Sequence, residues 1–138
     1  MKKTVSILLI IVSLFVITGC SKSTPKNSAN LIDLTALTPT MVYSTVYDMI
    51  TQPDKYVGEQ VMMRGTCAIY VDEQNQSFSL ACIIQDATAC CQQGIEFQPN
   101  DDYDSLPEDG KDITVVGEFA VYEKGDYVFP YISNATYF

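Results

Sequence analysis

From Val61 onward the apolar residues of this chain fall on every second position. Val61, Met63, Gly65, Cys67, Ile69 and Val71 alternate with Met62, Arg64, Thr66, Ala68 and Tyr70. After the polar break 72–76, Phe78, Leu80, Cys82 and Ile84 alternate with Ser77, Ser79, Ala81 and Ile83. A helix turning every 3.6 residues cannot gather such positions on one face, whereas a strand does so by construction. The pattern predicts two strands joined by a tight loop. If Asp72 faces Ser77 across that loop, opposed residue numbers sum to 149 and Cys67 lies directly opposite Cys82. Both cysteines then share the apolar face. Opposed Cβ atoms stand about 4.5–5.5 Å apart, so a modest adjustment gives disulfide geometry. A slip of one residue would send one cysteine to the other face.

The same reasoning extends along the chain. Residues 113–122 and 127–138 form a hairpin around the turn 123–126, where Gly125 suits a positive φ. Residues 95–97 make a short strand between the two hairpins, and 100–110 an acidic loop. Ahead of the strands, Val42, Val46, Met49 and Ile50 have the spacing of a short amphipathic helix over 41–50. Pro39 stands at its entrance and Pro53 just past its end. Residues 21–30 are small and polar and bury no apolar face, which predicts a flexible tether. The expected fold is mainly β, five strands preceded by one short helix. The expected divisions are a leader over 1–19, an attachment residue and tether over 20–40, and one domain over 41–138.

The leader has its own signature. Lys2 and Lys3 precede a thirteen-residue apolar run, 5–17. As a helix that run rises about 1.5 Å per residue, roughly 20 Å in all, short of the roughly 30 Å hydrocarbon core of a bilayer. A basic start and a short apolar run read as a secretion signal. The segment Ile17-Thr18-Gly19-Cys20 resembles the lipobox of bacterial lipoproteins. That resemblance implies cleavage before Cys20 and acylation of its sulfur and amine with palmitate-type chains. It also implies a membrane-anchored location on the extracytoplasmic face. Each buried CH₂ contributes about 0.8 kcal/mol, so two or more acyl chains anchor stably. Loss of Lys2 and Lys3 leaves six basic against seventeen acidic residues, a formal net charge of −11. Such a body is repelled by anionic headgroups and by phosphate backbones.

Two stretches carry a second resemblance. One is Pro53-Asp-Lys-Tyr56-Val-Gly58-Glu-Gln-Val61-Met-Met-Arg-Gly65; the other is Gly110-Lys-Asp-Ile-Thr-Val-Val-Gly117. Each runs from a glycine turn through an alternating strand to a second glycine, and a small barrel needs such glycines where its strands bend. With the five-strand layout, this is similar to the OB-fold, a five-stranded Greek-key barrel, and to the tRNA-anti-like domains of bacterial lipoproteins. The resemblance implies ligand contacts through the loops 72–76 and 123–126.

Composition removes several chemistries. The chain has no histidine, so imidazole catalysis and imidazole metal ligands are excluded. Nine tyrosines lack the basic groove that nucleic-acid binding requires, and are assigned to core and rim packing. Asp86, Glu96 and Glu118 have no spacing that forces two carboxylates together. The acidic run at 100–104 lacks the ligand spacing of a calcium loop. Cys67, Cys82, Cys90 and Cys91 remain. They are read first as a Cys67–Cys82 disulfide or as buried thiols, in a compartment where disulfides persist. The alternative is a zinc site made by all four, although paired ligand spacing is missing. In an extended segment the adjacent Cys90 and Cys91 would point to opposite sides. Thiol redox catalysis is disfavoured, because no Cys-x-x-Cys occurs and no Lys or Arg lies between Arg64 and Lys111. The chain is therefore expected to be a non-catalytic module that needs no cofactor and binds a protein or small-molecule partner. A zinc-handling lipoprotein is the alternative.

Overall fold

The computed structural model describes residues 30–100 and 105–138. The leader 1–19, the acylation candidate Cys20, the tether up to residue 29 and the acidic run 101–104 lie outside the described residues. In chain order the elements are β1 (Leu31–Asp33), α1 (Pro39–Thr51), a 3₁₀ turn (Pro53–Lys55), β2 (Gln60–Asp72), β3 (Ser77–Gln85), β4 (Gln92–Pro99), β5 (Asp112–Lys124) and β6 (Tyr127–Tyr137). The fold is mainly β, as the alternation requires. The strands lie in the order β1-β2-β3-β4-β6-β5, and β5 also pairs with β2. All pairings are antiparallel except β1–β2 and β4–β6.

Two elements differ from expectation. β1 is a sixth strand, in a stretch assigned to the tether. It aligns Ile32 with Val61, and just beyond it the Leu34 N–H donates to the Met62 carbonyl at 2.8 Å while the Leu34 side chain is buried. Three residues are too few to show a period. β4 runs several residues longer than 95–97, because its backbone pairs with β3 from Gln92 onward whatever the polarity of the side chains.

The β2–β3 register is the one the loop arithmetic predicts: Asp72 faces Ser77 and Cys67 faces Cys82. The Asp72 carboxylate accepts from the Gln74 and Asn75 N–H groups, at 3.0 and 3.2 Å, and so closes the loop. The Cys67 N–H donates to the Lys111 carbonyl at 2.7 Å, and the Cys67 carbonyl accepts from the Gly110 N–H at 2.9 Å. Both backbone groups of Cys67 thus point away from β3. Its pair with Cys82 is a non-hydrogen-bonded one, where Cα atoms approach to about 4.5 Å.

The inward positions form one core: Met63 and Cys67 of β2, Leu80 and Cys82 of β3, Ile95 of β4, Val115 and Phe119 of β5, Ile132 of β6. Val46 and Met49 of α1 join it, which is the face the helical spacing marked. The strands come so close that a Cβ on Gly117 would sit 2.6 Å from the Ser133 carbonyl oxygen, and one on Gly65 2.2 Å from that of Ile83. Gly117 also lies where the β5–β6 register shifts, a bend of the kind a glycine in a strand marks. The Gln93 amide donates to the Tyr43 carbonyl and ties α1 to the start of β4. Tyr56 packs on Phe119, ring centres 5.8 Å apart, and its hydroxyl donates to Asp48 at 2.6 Å. Among the described residues, no helix is long and apolar enough to cross a membrane.

Candidate functional site: an aromatic cleft and a cysteine loop

The structure separates the four downstream cysteines into two unlike pairs. Cys67 and Cys82 are buried in the core, and Cys90 and Cys91 are exposed; all four are free thiols. Burial, followed by the neighbouring Cys67, pushes the Cys82 thiol up to about 12. Burial and then the charge of Asp109 also raise Cys67. Both are protonated and unreactive at neutral pH. Cys67 and Cys82 are inward side chains of β2 and β3, and the cluster of potential metal ligands found among the described residues takes in Cys90 and Cys91 but neither of these two.

Cys90 and Cys91 lie in the turn between β3 and β4. The Asp86 N–H donates to the Cys91 carbonyl, and the Ala89 N–H to the Asp86 carbonyl, each at 3.0 Å. Ala89 takes a left-handed φ of 55°. The Asp86 carboxylate then turns into the loop. Its Oδ1 accepts from the Cys90 N–H at 3.0 Å, and its Oδ2 accepts from the Thr88 hydroxyl at 2.9 Å and the Cys90 thiol at 3.3 Å. Cys90 Sγ and Cys91 Sγ are 3.5 Å apart. The expectation that these side chains point to opposite sides is corrected here: it assumed extended backbone, and the segment is a tight turn. Hydrogen bonding, first from Thr88, holds the Asp86 carboxyl below its ordinary value. The Cys91 thiol is raised, chiefly by its hydrogen bond with Cys90 and by the charge of Cys90.

At the opposite end of β3 lies an open cleft of about 570 Å³, formed where β3, β4, β5 and β6 meet. Phe78, half exposed, lines it together with Tyr122 and Tyr131. The Tyr122 ring stacks on Phe129, centres 5.3 Å apart at 18°, and meets Tyr131 edge-on at 5.7 Å. The Tyr122 hydroxyl donates to Glu96 Oε2 at 3.0 Å. Burial, and then that bond, raise the Tyr122 phenol. Among the described residues that line the cleft, none is Lys or Arg. Among the described residues Glu96 meets a tyrosine hydroxyl rather than a second carboxylate. The loops 72–76 and 123–126 border this end of the molecule: Phe78 follows the first, and Tyr122 and Tyr127 flank the second.

Sequence reasoning assigned Tyr122 and Tyr131 to packing and did not find the cleft. Alternation tells which side of a strand a residue occupies, but not which strands share that side. The parallel β4–β6 pairing, which sets Glu96 against Tyr131, is what gathers the group. Compared with protein-family models, curated proteins and solved structures, the chain has no match.

Proposed function

We propose that this chain is a membrane-anchored, extracytoplasmic, non-catalytic binding module with an OB-like barrel, and that its cleft receives a cationic group carried on an apolar stem. The lipobox at 17–20 supports the location. The strand order β2-β3-β4-β6-β5, with β5 returning to β2 and β4 parallel to β6, supports the barrel. The observation that carries the binding reading is the cleft itself: the Tyr122 and Tyr131 rings, edge to face at 5.7 Å, beside the Glu96 carboxylate, with no basic side chain among the described residues of its lining. Aromatic faces and a carboxylate attract a cation together, and a ring contact contributes about 0.5–2 kcal/mol, more as water is excluded. The strongly acidic body adds a long-range attraction for the same sign of ligand.

The test uses the full chain in neutral-detergent micelles, titrated with benzyltrimethylammonium and with the neutral benzyl alcohol. The cation is expected to bind about tenfold more tightly. Tyr122→Ala and Glu96→Gln should each weaken the cation and leave the alcohol nearly unchanged. Equal binding of both probes, or cation binding indifferent to Tyr122→Ala, would refute the assignment.

A further inference from the structure

The cysteine loop is a second site, independent of the cleft. We propose that Asp86, Cys90 and Cys91 form a three-ligand site for a thiophilic, tetrahedral divalent metal ion of the zinc class, with a water molecule in the fourth position. One carboxylate oxygen and the two sulfurs all lie within 4.8 Å of one another. With Zn–S about 2.3 Å and Zn–O about 2.1 Å, tetrahedral ligands stand about 3.8 Å apart for S···S and about 3.6 Å for S···O. The loop sets its sulfurs 3.5 Å apart and Cys90 Sγ 3.3 Å from Asp86 Oδ2. Sulfurs at 3.5 Å, each about 2.3 Å from a metal, subtend roughly 100° there. A linear two-coordinate ion would need them about 4.6 Å apart on the same bond length, so the spacing excludes a linear site and fits a tetrahedral one.

The loop already holds these atoms in place. Asp86 Oδ1 is engaged by the Cys90 N–H, which orients the carboxylate, and Oδ2, which also accepts from the Thr88 hydroxyl, lies 3.3 Å from Cys90 Sγ. Fixing a ligand by its other oxygen is the usual way a protein orients a metal carboxylate. The loop backbone is closed by the Asp86–Cys91 and Ala89–Asp86 bonds. Neither ion pair found among the described residues, Lys55–Asp48 and Arg64–Asp112, involves this carboxylate. On binding, each thiol gives its proton to solvent and two metal–sulfur bonds form. The Cys90 thiol bond to Asp86 Oδ2 is replaced by a metal–oxygen bond, and no electron is transferred.

The experiment titrates the reduced full chain, in detergent micelles under anaerobic conditions, with Zn²⁺ against a chromophoric chelator. Cd²⁺ is then used to read thiolate charge-transfer absorbance. One Zn²⁺ per chain is expected, and cadmium–thiolate absorbance of the size two sulfurs give. Asp86→Asn keeps an oxygen to accept the Cys90 N–H but loses the anionic ligand, and should weaken binding by about tenfold or more. Cys90→Ser with Cys91→Ser should abolish binding, while Cys67→Ala retains it. Reduced protein that takes up no zinc overturns the proposal, and so does zinc retained by the Cys90→Ser, Cys91→Ser variant. Oxidation to a Cys90–Cys91 disulfide that blocks zinc until reduction would support it.

Discussion

Oxidation of the buried Cys67–Cys82 pair should stabilise the protein, by an amount that follows from the hairpin. The two residues are directly opposed at a non-hydrogen-bonded position, because both backbone groups of Cys67 bond toward residues 110 and 111. The Cα separation of about 4.5 Å at such a position lies inside the range of about 4.4–6.8 Å that disulfides span. The crosslink therefore needs no backbone movement. It closes a loop of about 15 residues, which removes unfolded-chain entropy equivalent to about 3 kcal/mol. For a domain of this size, 1 kcal/mol moves Tm by about 4 °C or more, so oxidised protein should melt roughly 12 °C above reduced protein. The assay compares thermal melts of the two forms in a Cys90→Ser, Cys91→Ser background, with free thiols counted in each. The crosslink should form as the chain folds in oxidising buffer. In folded, reduced protein both thiols are buried and Cys82 is held protonated up to about 12. Their alkylation at neutral pH should therefore await opening of the hairpin. A crosslink that forms and leaves Tm unchanged or lower would refute the geometry. Failure to crosslink on oxidative refolding would refute the register in solution.

Two further outcomes follow from the packing. Leu34→Ala should cost about 2–5 kcal/mol in urea unfolding, because Leu34 is buried in the same core cluster as Val61 and Met63 although it lies in a stretch that reads as tether; a loss near zero would place residues 31–34 outside the cooperative unit. The Tyr56 phenol is raised from 10 to about 12, first by its hydrogen bond to Asp48 and then by burial. A raised value favours the protonated form in the folded state, so this contribution is fully present below pH 10 and fades as pH rises toward about 12. Urea stability of wild type minus that of Tyr56→Phe should be positive at pH 8 and shrink across that window; a pH-independent difference would refute the linkage.

Much of the fold was legible because its signals are local. Alternation at 61–71 and 78–84 named two strands, and a short polar break left one sensible register, so the facing of Cys67 and Cys82 needed no coordinates. The four-three-one spacing of Val42, Val46, Met49 and Ile50 likewise marked the face of α1 that enters the core.

What tertiary structure alone decided is whatever depends on two distant segments meeting, or on one unusual torsion. β1 exists because β2 offers it an edge, and three residues carry no period of their own. The aromatic cleft depends on β4 lying parallel to β6, a pairing between strands some thirty residues apart that no short-range pattern encodes. Cys90 and Cys91 face the same way because Ala89 adopts a left-handed conformation and Asp86 folds back over the turn. Periodicity reports the facing of a side chain relative to its own backbone; its neighbours across space are set by how the strands close on one another.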